Sequence, residues 1–463
     1  MSVSKYRQQM TMFGIHATDS RCDCAIRPLL KIKKMFLAGA DITQMVTWLL
    51  MSFMTLISVN AEAVPAFARQ TGQNCLACHA GGQFPELTPY GRMFKLTGYT
   101  IGERTVPLSV MGVLTSNRVK TVNGATDHTQ DGTLTFNTGS LFLAGKITDK
   151  AGVFAQITYN NYASPSDQIG FSGHTGADNM DFRYADRLIN SKTDLIYGLT
   201  LHNNPGVQDV WNSTPAWGYG VVPGSTGAGG AIRPILDGGL GQQVAGTGAY
   251  VYWNQTVYAE LTGYRTGNGV FSFMTQGNGT QTIIKGTNPY LRLALTHAWG
   301  AQNAMVGVTH LDVQQYPDPT NLTTATDRYR DNSIDFQYQY LLDPHTVTAT
   351  VTRIHETVDL GTLGTLAETV DSFRAKASYV YQAKYGTTLS YFDVKNSANN
   401  AGGTLTGTQG WTPEIFWTPL QYMRLGLQYT MFNKVNGVSS NTDGAGRKAS
   451  DDNTLMFYVW GVY

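Results

Sequence analysis

The sequence predicts an all-β chain, a transmembrane antiparallel β-barrel of about sixteen strands behind a short segment of different character. Three observations predict it: apolar residues alternate in period two, the connections alternate long and short, and the final strand closes on an aromatic residue.

The alternation begins near Thr105 and runs to the carboxy terminus, which places successive side chains on opposite faces of a sheet. In "IDFQYQYL", Ile334, Phe336, Tyr338 and Tyr340 share one face while Asp335, Gln337 and Gln339 share the other. In "SFRAKASY", Phe373, Ala375, Ala377 and Tyr379 oppose Arg374, Lys376 and Ser378. Soluble sandwiches alternate too, so the connections have to discriminate. The segments start near Thr105, Thr133 and Ala151 and continue to the last near Asn453, each of about ten residues, the length of a tilted membrane-crossing strand. Tight turns such as "TDKAG", "INSKT", "LDPH" and "TPLQ" alternate with long polar loops such as "QQYPDPTNLTTATD". Short turns on one rim and long loops on the other mark an outer-membrane barrel. The last segment, "NTLMFYVWGVY", puts Leu455, Phe457, Val459, Gly461 and Tyr463 on one face. Closing the sheet leaves no unpaired edge in hydrocarbon.

Composition agrees. At 42% hydrophobic and 14% charged, the chain is too apolar for disorder, and a net charge of +1 gives no field for nucleic acid. Residues 1–63 are expected to form a pre-sequence with a signal peptide. Lys31, Lys33 and Lys34 precede the apolar run "MVTWLLMSFMTLISV" and the small-residue site Ala61-Glu62-Ala63. An uncleaved anchor is the alternative reading, but the apolar core is short for a spanning helix. Cys22 and Cys24 precede the cleavage site, so Cys75 and Cys78 are the only thiols beyond it.

Those two thiols fall in "NCLACHAGG", where Cys75, Cys78 and His79 form the C-x-x-C-H attachment signature of a c-type haem. In that chemistry the thiols form thioethers with the porphyrin and His79 supplies the proximal nitrogen to iron. A zinc half-site or a thioredoxin-type pair is the competing reading, but no second ligand pair and no α/β pattern accompanies it. The expected organisation is therefore a pre-sequence over 1–63, a monohaem cytochrome c segment over 64–103 and a porin-like barrel over 104–463. With an even strand count and long loops outside, both barrel ends lie on the periplasmic side, and the haem segment enters from there. About forty residues can hardly cover a haem, so the lumen is expected to complete the pocket.

The sixth haem ligand has two candidates. Met93 is the nearest soft donor, and His202 in "IYGLTLHN" shares lumen parity with Thr200, unlike His297 and His355. Arg69, Arg92 and Lys95 are cations close enough in sequence to pair with haem propionates. Asp127, His128 and Asp131 in the first long loop form a mixed oxygen and nitrogen set suited to a transient Fe(II) contact. The third long loop, residues 203–243, either folds inward to constrict the pore or stands as an exposed insertion.

The stretch "AVPAFARQTGQNCLACHAGGQFPELTPYGRMFKLTGYT", residues 63–100, resembles the haem segment of the fused outer-membrane cytochrome-porins of iron-oxidising bacteria. The matching features are Phe67 to Gly72, the single C-x-x-C-H, Leu87 to Pro89, and Gly91 to Lys95. The resemblance implies one covalent haem c and oxidation of extracellular Fe(II). It also implies delivery of the electron through the barrel to a periplasmic cytochrome. A solute channel whose haem segment acts as plug or redox sensor is the alternative function.

Overall fold

Alternation shows that a strand has two faces without saying which one is hidden. In the computed structural model, which describes residues 65–82, 86–122, 131–160, 174–213, 233–276, 282–361, 367–397 and 407–463, the polar face is the buried one. Asp335, Gln337 and Gln339 are at most 3% exposed, whereas Ile334 and Phe336 are 54% and 44% exposed. A soluble sandwich would reverse that order, so the apolar face is the lipid-facing one. The pre-sequence lies outside the described residues.

Sixteen strands close into one antiparallel barrel in simple up-and-down order. They are β1 Leu108–Val119, β2 Asp131–Lys146, β3 Ala151–Asn160, β4 His174–Ile189, β5 Asp194–His202, β6 Val244–Trp253, β7 Val257–Thr266 and β8 Asn288–Trp299. The second half comprises β9 Gln302–Gln315, β10 Asp327–Leu342, β11 His345–Asp359, β12 Ala367–Tyr381, β13 Tyr385–Asn396, β14 Thr408–Leu420, β15 Met423–Lys434 and β16 Thr454–Val462. Closure is made by β1 against β16, from Met111 opposite Val462 to Val119 opposite Thr454. The outward Leu455 and Phe457 of the last strand are each 39% exposed, as its alternation requires.

The tight turns all fall on one rim, between β2 and β3, β4 and β5, and so on to β14 and β15. Strand starts agree with the sequence reading to within a few residues. The differences lie mainly on the long-loop side: β4 begins at His174 rather than near Asn179, and β10 at Asp327 rather than near Asn332. There the ladder continues past the apolar band through polar residues such as Asp327 to Asp331, which carry no period-two signal of burial.

Among the described residues, three α-helices precede β1: α1 Ala66–Thr71, α2 Cys75–Cys78 and α3 Pro89–Leu96. All three lie within the lumen toward the short-turn rim. Gln70 accepts from the Lys146 amide at 2.8 Å, and a Cβ on Gly98 would touch the Lys150 and Arg183 carbonyls at 3.4 Å. The third long loop also folds inward. Residues Asn203 to Trp211 are buried, with a short helix α4 over Pro205–Gln208, and Ile235, Leu236 and Leu240 return into a core with Tyr264, Tyr290 and Leu311. In its described residues, 203–213 and 233–243, the loop takes the constricting form. Lumen and plug join in a second core of Leu96, Ile196, Val210, Trp211, Tyr250, Tyr258, Ala294 and Met305.

Candidate functional site

The C-x-x-C-H turn is held by contacts within its own segment. Asn74 caps α2 by accepting from the Ala77 amide at 3.1 Å, which starts a helix too short to stand alone. One turn of helix brings Cys75 and Cys78 to the same side, and the His79 amide donates to the Cys75 carbonyl at 2.9 Å. Both thiols are free. The chain then reverses: Ala80 donates to the Glu86 carbonyl at 3.0 Å and Thr88 to the Cys78 carbonyl at 2.9 Å. Thr88 caps α3, whose Pro89 occupies the first turn without wasting a donor.

Gly91 explains why "TPYGR" follows the motif. A Cβ at this position would sit 2.2 Å from the Cys78 carbonyl oxygen, so only glycine lets α3 close on the attachment turn. Gly91→Ala is expected to push α3 away at a cost of about 1–3 kcal/mol. The measurement is haem stain per assembled barrel, which should fall.

Cys75, Cys78 and His79 open onto an apolar cavity of about 200 Å³. Its walls come from three places. The amino-terminal segment supplies Phe67, Leu87 and Phe94; the inward loop supplies Val207 and Val210. The barrel supplies Met111, Phe142, Ala144, Phe154, Trp460 and Val462 from β1, β2, β3 and β16. Phe67 is the hinge of this packing, 4.9 Å from Phe94 and 5.2 Å from Tyr99 between ring centres.

Burial sets the state of the motif. It pushes the Cys75 thiol up and, aided by Cys75, the Cys78 thiol to about 11. It pushes the His79 imidazole down to about 4, partly offset by a hydrogen bond to the Glu86 backbone. His79 is therefore neutral at ordinary pH, the form that can donate a lone pair to a metal. The donor set and the apolar walls fit a covalently attached haem c. Cys75 and Cys78 would hold it through thioethers and His79 would bind its iron.

Buried polar contacts fix this segment to the barrel. Glu86 accepts from Thr348 at 2.9 Å and pairs with Lys376; burial drives its carboxyl up, but Lys376 and Thr348 outweigh that and hold it below the usual range. Arg92 donates to Gln337 at 3.0 Å, Gln339 at 3.1 Å, Asn303 at 2.8 Å and the Leu87 carbonyl at 2.8 Å. Lys95 donates to the Val207 carbonyl and faces Asp181 at 3.7 Å, while Tyr99 donates to Asp181 at 2.6 Å.

Of the three cations near the motif, only Lys95 lines the cavity. Arg92 is taken up by the barrel glutamines, and Arg69 donates to the Val106 and Leu108 carbonyls. Neither candidate sixth ligand is on the cavity wall. Met93 packs on the far side of α3 against the core around Trp211 and Tyr258. His202 does face the lumen as its parity requires, but its ring nitrogens are bonded to Thr200 at 3.0 Å and Tyr264 at 2.8 Å. Asp127 and His128 lie outside the described residues, and Asp131 opens β2 without a described side chain. Among the described residues, no group of three or more His, Cys, Asp or Glu is placed to hold a metal ion.

The residues that sequence reasoning missed are Met111, Phe142 and Phe154. Each is apolar at lumen parity near the short-turn rim, where polar residues are the rule, and that mismatch was the available signal.

Fold and site together define a porin-like outer-membrane β-barrel with a C-x-x-C-H segment folded into its lumen. Solved structures similar to it include the outer-membrane channel DcaP of Acinetobacter baumannii, at 14% identity and a TM-score of 0.44, covering 77% of this chain and 96% of that one. OmpF of Salmonella typhi follows at 11% and 0.42, covering 77% and 97%, and the anion-selective porin of Comamonas acidovorans at 11% and 0.42, covering 77% and 99%. No protein-family model and no curated protein sequence matches the chain.

Proposed function

We propose that the protein is an outer-membrane electron conduit, carrying one covalent haem c in the periplasmic mouth of a sealed barrel. The observation that carries this reading is the apolar cavity walled jointly by Cys75, Cys78, His79 and the lumen faces of β1, β2, β3 and β16. When bound, such a group supplies reversible one-electron transfer between ferric and ferrous iron. The chain does the rest. Cys75 and Cys78 anchor, His79 ligates, and Lys95 offers a cation at the cavity wall to balance propionate charge.

Fe(II) as the extracellular donor rests on the resemblance of residues 63–100, and a periplasmic cytochrome is the corresponding acceptor. Each Fe(II) gives up one electron and leaves as Fe(III), which precipitates readily, so oxidation is best kept outside the cell.

The second reading is a solute channel whose haem segment is a plug or redox sensor. Sixteen strands give a lumen wide enough for one. Against it, lumen-facing Asp181 and Gln339 are 0% exposed, the first covered by Tyr99 and Lys95 and the second by Arg92 and Leu87 of the amino-terminal segment. The experiment is the purified protein in liposomes holding a trapped electron acceptor. Reduction of the acceptor by external Fe(II), with no ionic conductance, is the expected result. Reduction by another donor but not Fe(II) removes the iron assignment alone. Conductance or sugar uptake without electron transfer establishes the channel instead.

A further inference from the structure

We infer that the Met111 thioether is the sixth ligand of the haem held by Cys75, Cys78 and His79. This rests on the proposed haem site and adds its second axial donor. Met111 sits on β1 at lumen parity, opposite Ser140 of β2 and Val462 of β16. It shares the cavity wall with the C-x-x-C-H residues. His79 comes from another sector of the lumen. The turn after it packs on β11 and β12, where a Cβ on Gly81 would lie 2.8 Å from Val380 and 3.4 Å from Thr346. In the closed order, β13 to β16 stand between β12 and β1. The imidazole and the thioether thus reach one cavity from different walls.

The other donors around the cavity are occupied or chemically unsuited. Lys95 donates to the Val207 carbonyl and pairs with Asp181; Tyr99 donates to Asp181 at 2.6 Å. Ser109 accepts from the Ala66 amide at 2.7 Å, and Asn74 is spent capping α2. Asp209 accepts from the Trp211 and Ser213 amides at 3.0 and 2.7 Å. Gln73 and Asn212 offer hard amide oxygens, which iron in a porphyrin disfavours. Met111 instead joins an apolar cluster with Ala66, Phe67, Phe142, Ala144 and Phe154. Its soft, polarizable sulfur in an apolar wall favours the ferrous state, and ligation by Met with His raises a haem potential.

The test compares the full-length, haem-loaded wild type with Met111→Leu and with Met93→Leu as control. Leucine keeps the volume of methionine, so assembly and covalent haem are retained. The ferric wild type is expected to be low-spin, with the long-wavelength absorption of a thioether–iron bond. Met111→Leu should lose that band, gain a high-spin resonance, bind added imidazole faster and shift to a lower midpoint potential. Met93→Leu should change none of these. Should the leucine variant fail to assemble, Met111→His gives the same information by staying low-spin while losing the thioether band. An unchanged spectrum and potential in Met111→Leu, or a high-spin ferric wild type, overturns the ligand assignment. A wild type lacking covalent haem overturns the haem site itself, so the two failures are distinct.

Discussion

The double replacement Cys75→Ser with Cys78→Ser is expected to abolish covalent haem while leaving the barrel assembled. Haem stain at the position of the 50.6 kDa chain, or its processed form, should fall to background, and Fe(II)-driven electron transfer should fall with it. Serine is close in size to cysteine but cannot form a thioether. The α2 turn is held by backbone bonds and the Asn74 cap, none of which uses a thiol. The strand ladders likewise contain neither residue, so heat-modifiable migration should persist. Stain that survives the double replacement would refute the attachment site. Loss of the folded barrel itself would show that the segment is needed for assembly rather than for redox chemistry.

Arg292→Met should have the second largest effect, this time on the seal. Arg292 lies on β8 with its side chain 2% exposed, donating to Asp335 at 2.8 and 3.0 Å, to Thr309 at 2.8 Å and to Ser213 at 3.1 Å. Its guanidinium faces Asp209 at 3.5 Å and lies 5.5 Å from the Trp211 ring centre. One cation therefore ties the inward loop to β9 and β10. Removing it leaves two carboxylates buried without their partner, a change that costs roughly 3–5 kcal/mol. The sixteen-strand ladder does not depend on it, so the loop should loosen while the barrel stands. The checks are a lower temperature for loss of the compact electrophoretic form and the appearance of channel openings in planar bilayers. Adding Asp335→Asn should recover part of the loss, because it removes one of the stranded charges. A variant as sealed and as heat-resistant as the wild type would show that the loop is held by apolar packing alone.

The two predictions touch parts of the molecule that differ in how far the sequence discloses them. The C-x-x-C-H turn is legible because its pattern is local: three residues within five positions supply both thiols and the imidazole. The strands are legible for a related reason. Lipid on one side and lumen on the other force period two, and along their strands His202 falls at lumen parity while His297 and His355 fall at the parity of the outward residues. The inward fold of residues 203–213 and 233–243 was only half legible. Trp211 announced some packing, but an exposed insertion has the same composition.

Met93 shows where local reading stops. As the nearest methionine to the motif it was the natural candidate for the iron, yet α3 turns it toward Tyr258 and away from the cavity. Met111, on a different element, takes the wall position instead. Arg92 was read as a propionate contact for the same reason of proximity, and the fold commits it to Gln337 and Gln339, which are more than two hundred residues away.

By itself the sequence determined the strand count, the face each strand shows to lipid, the rim that carries the short turns, and the C-x-x-C-H turn. These follow from periods and spacings within a few residues. Only the tertiary structure decided what meets inside the barrel: the joint cavity, the buried pairs of Glu86 with Lys376 and Arg292 with Asp335, and the place of Met111. Period two says that a side chain points inward, but not what it will find there, because neighbours across a lumen come from strands distant in sequence and are chosen only when the sheet closes.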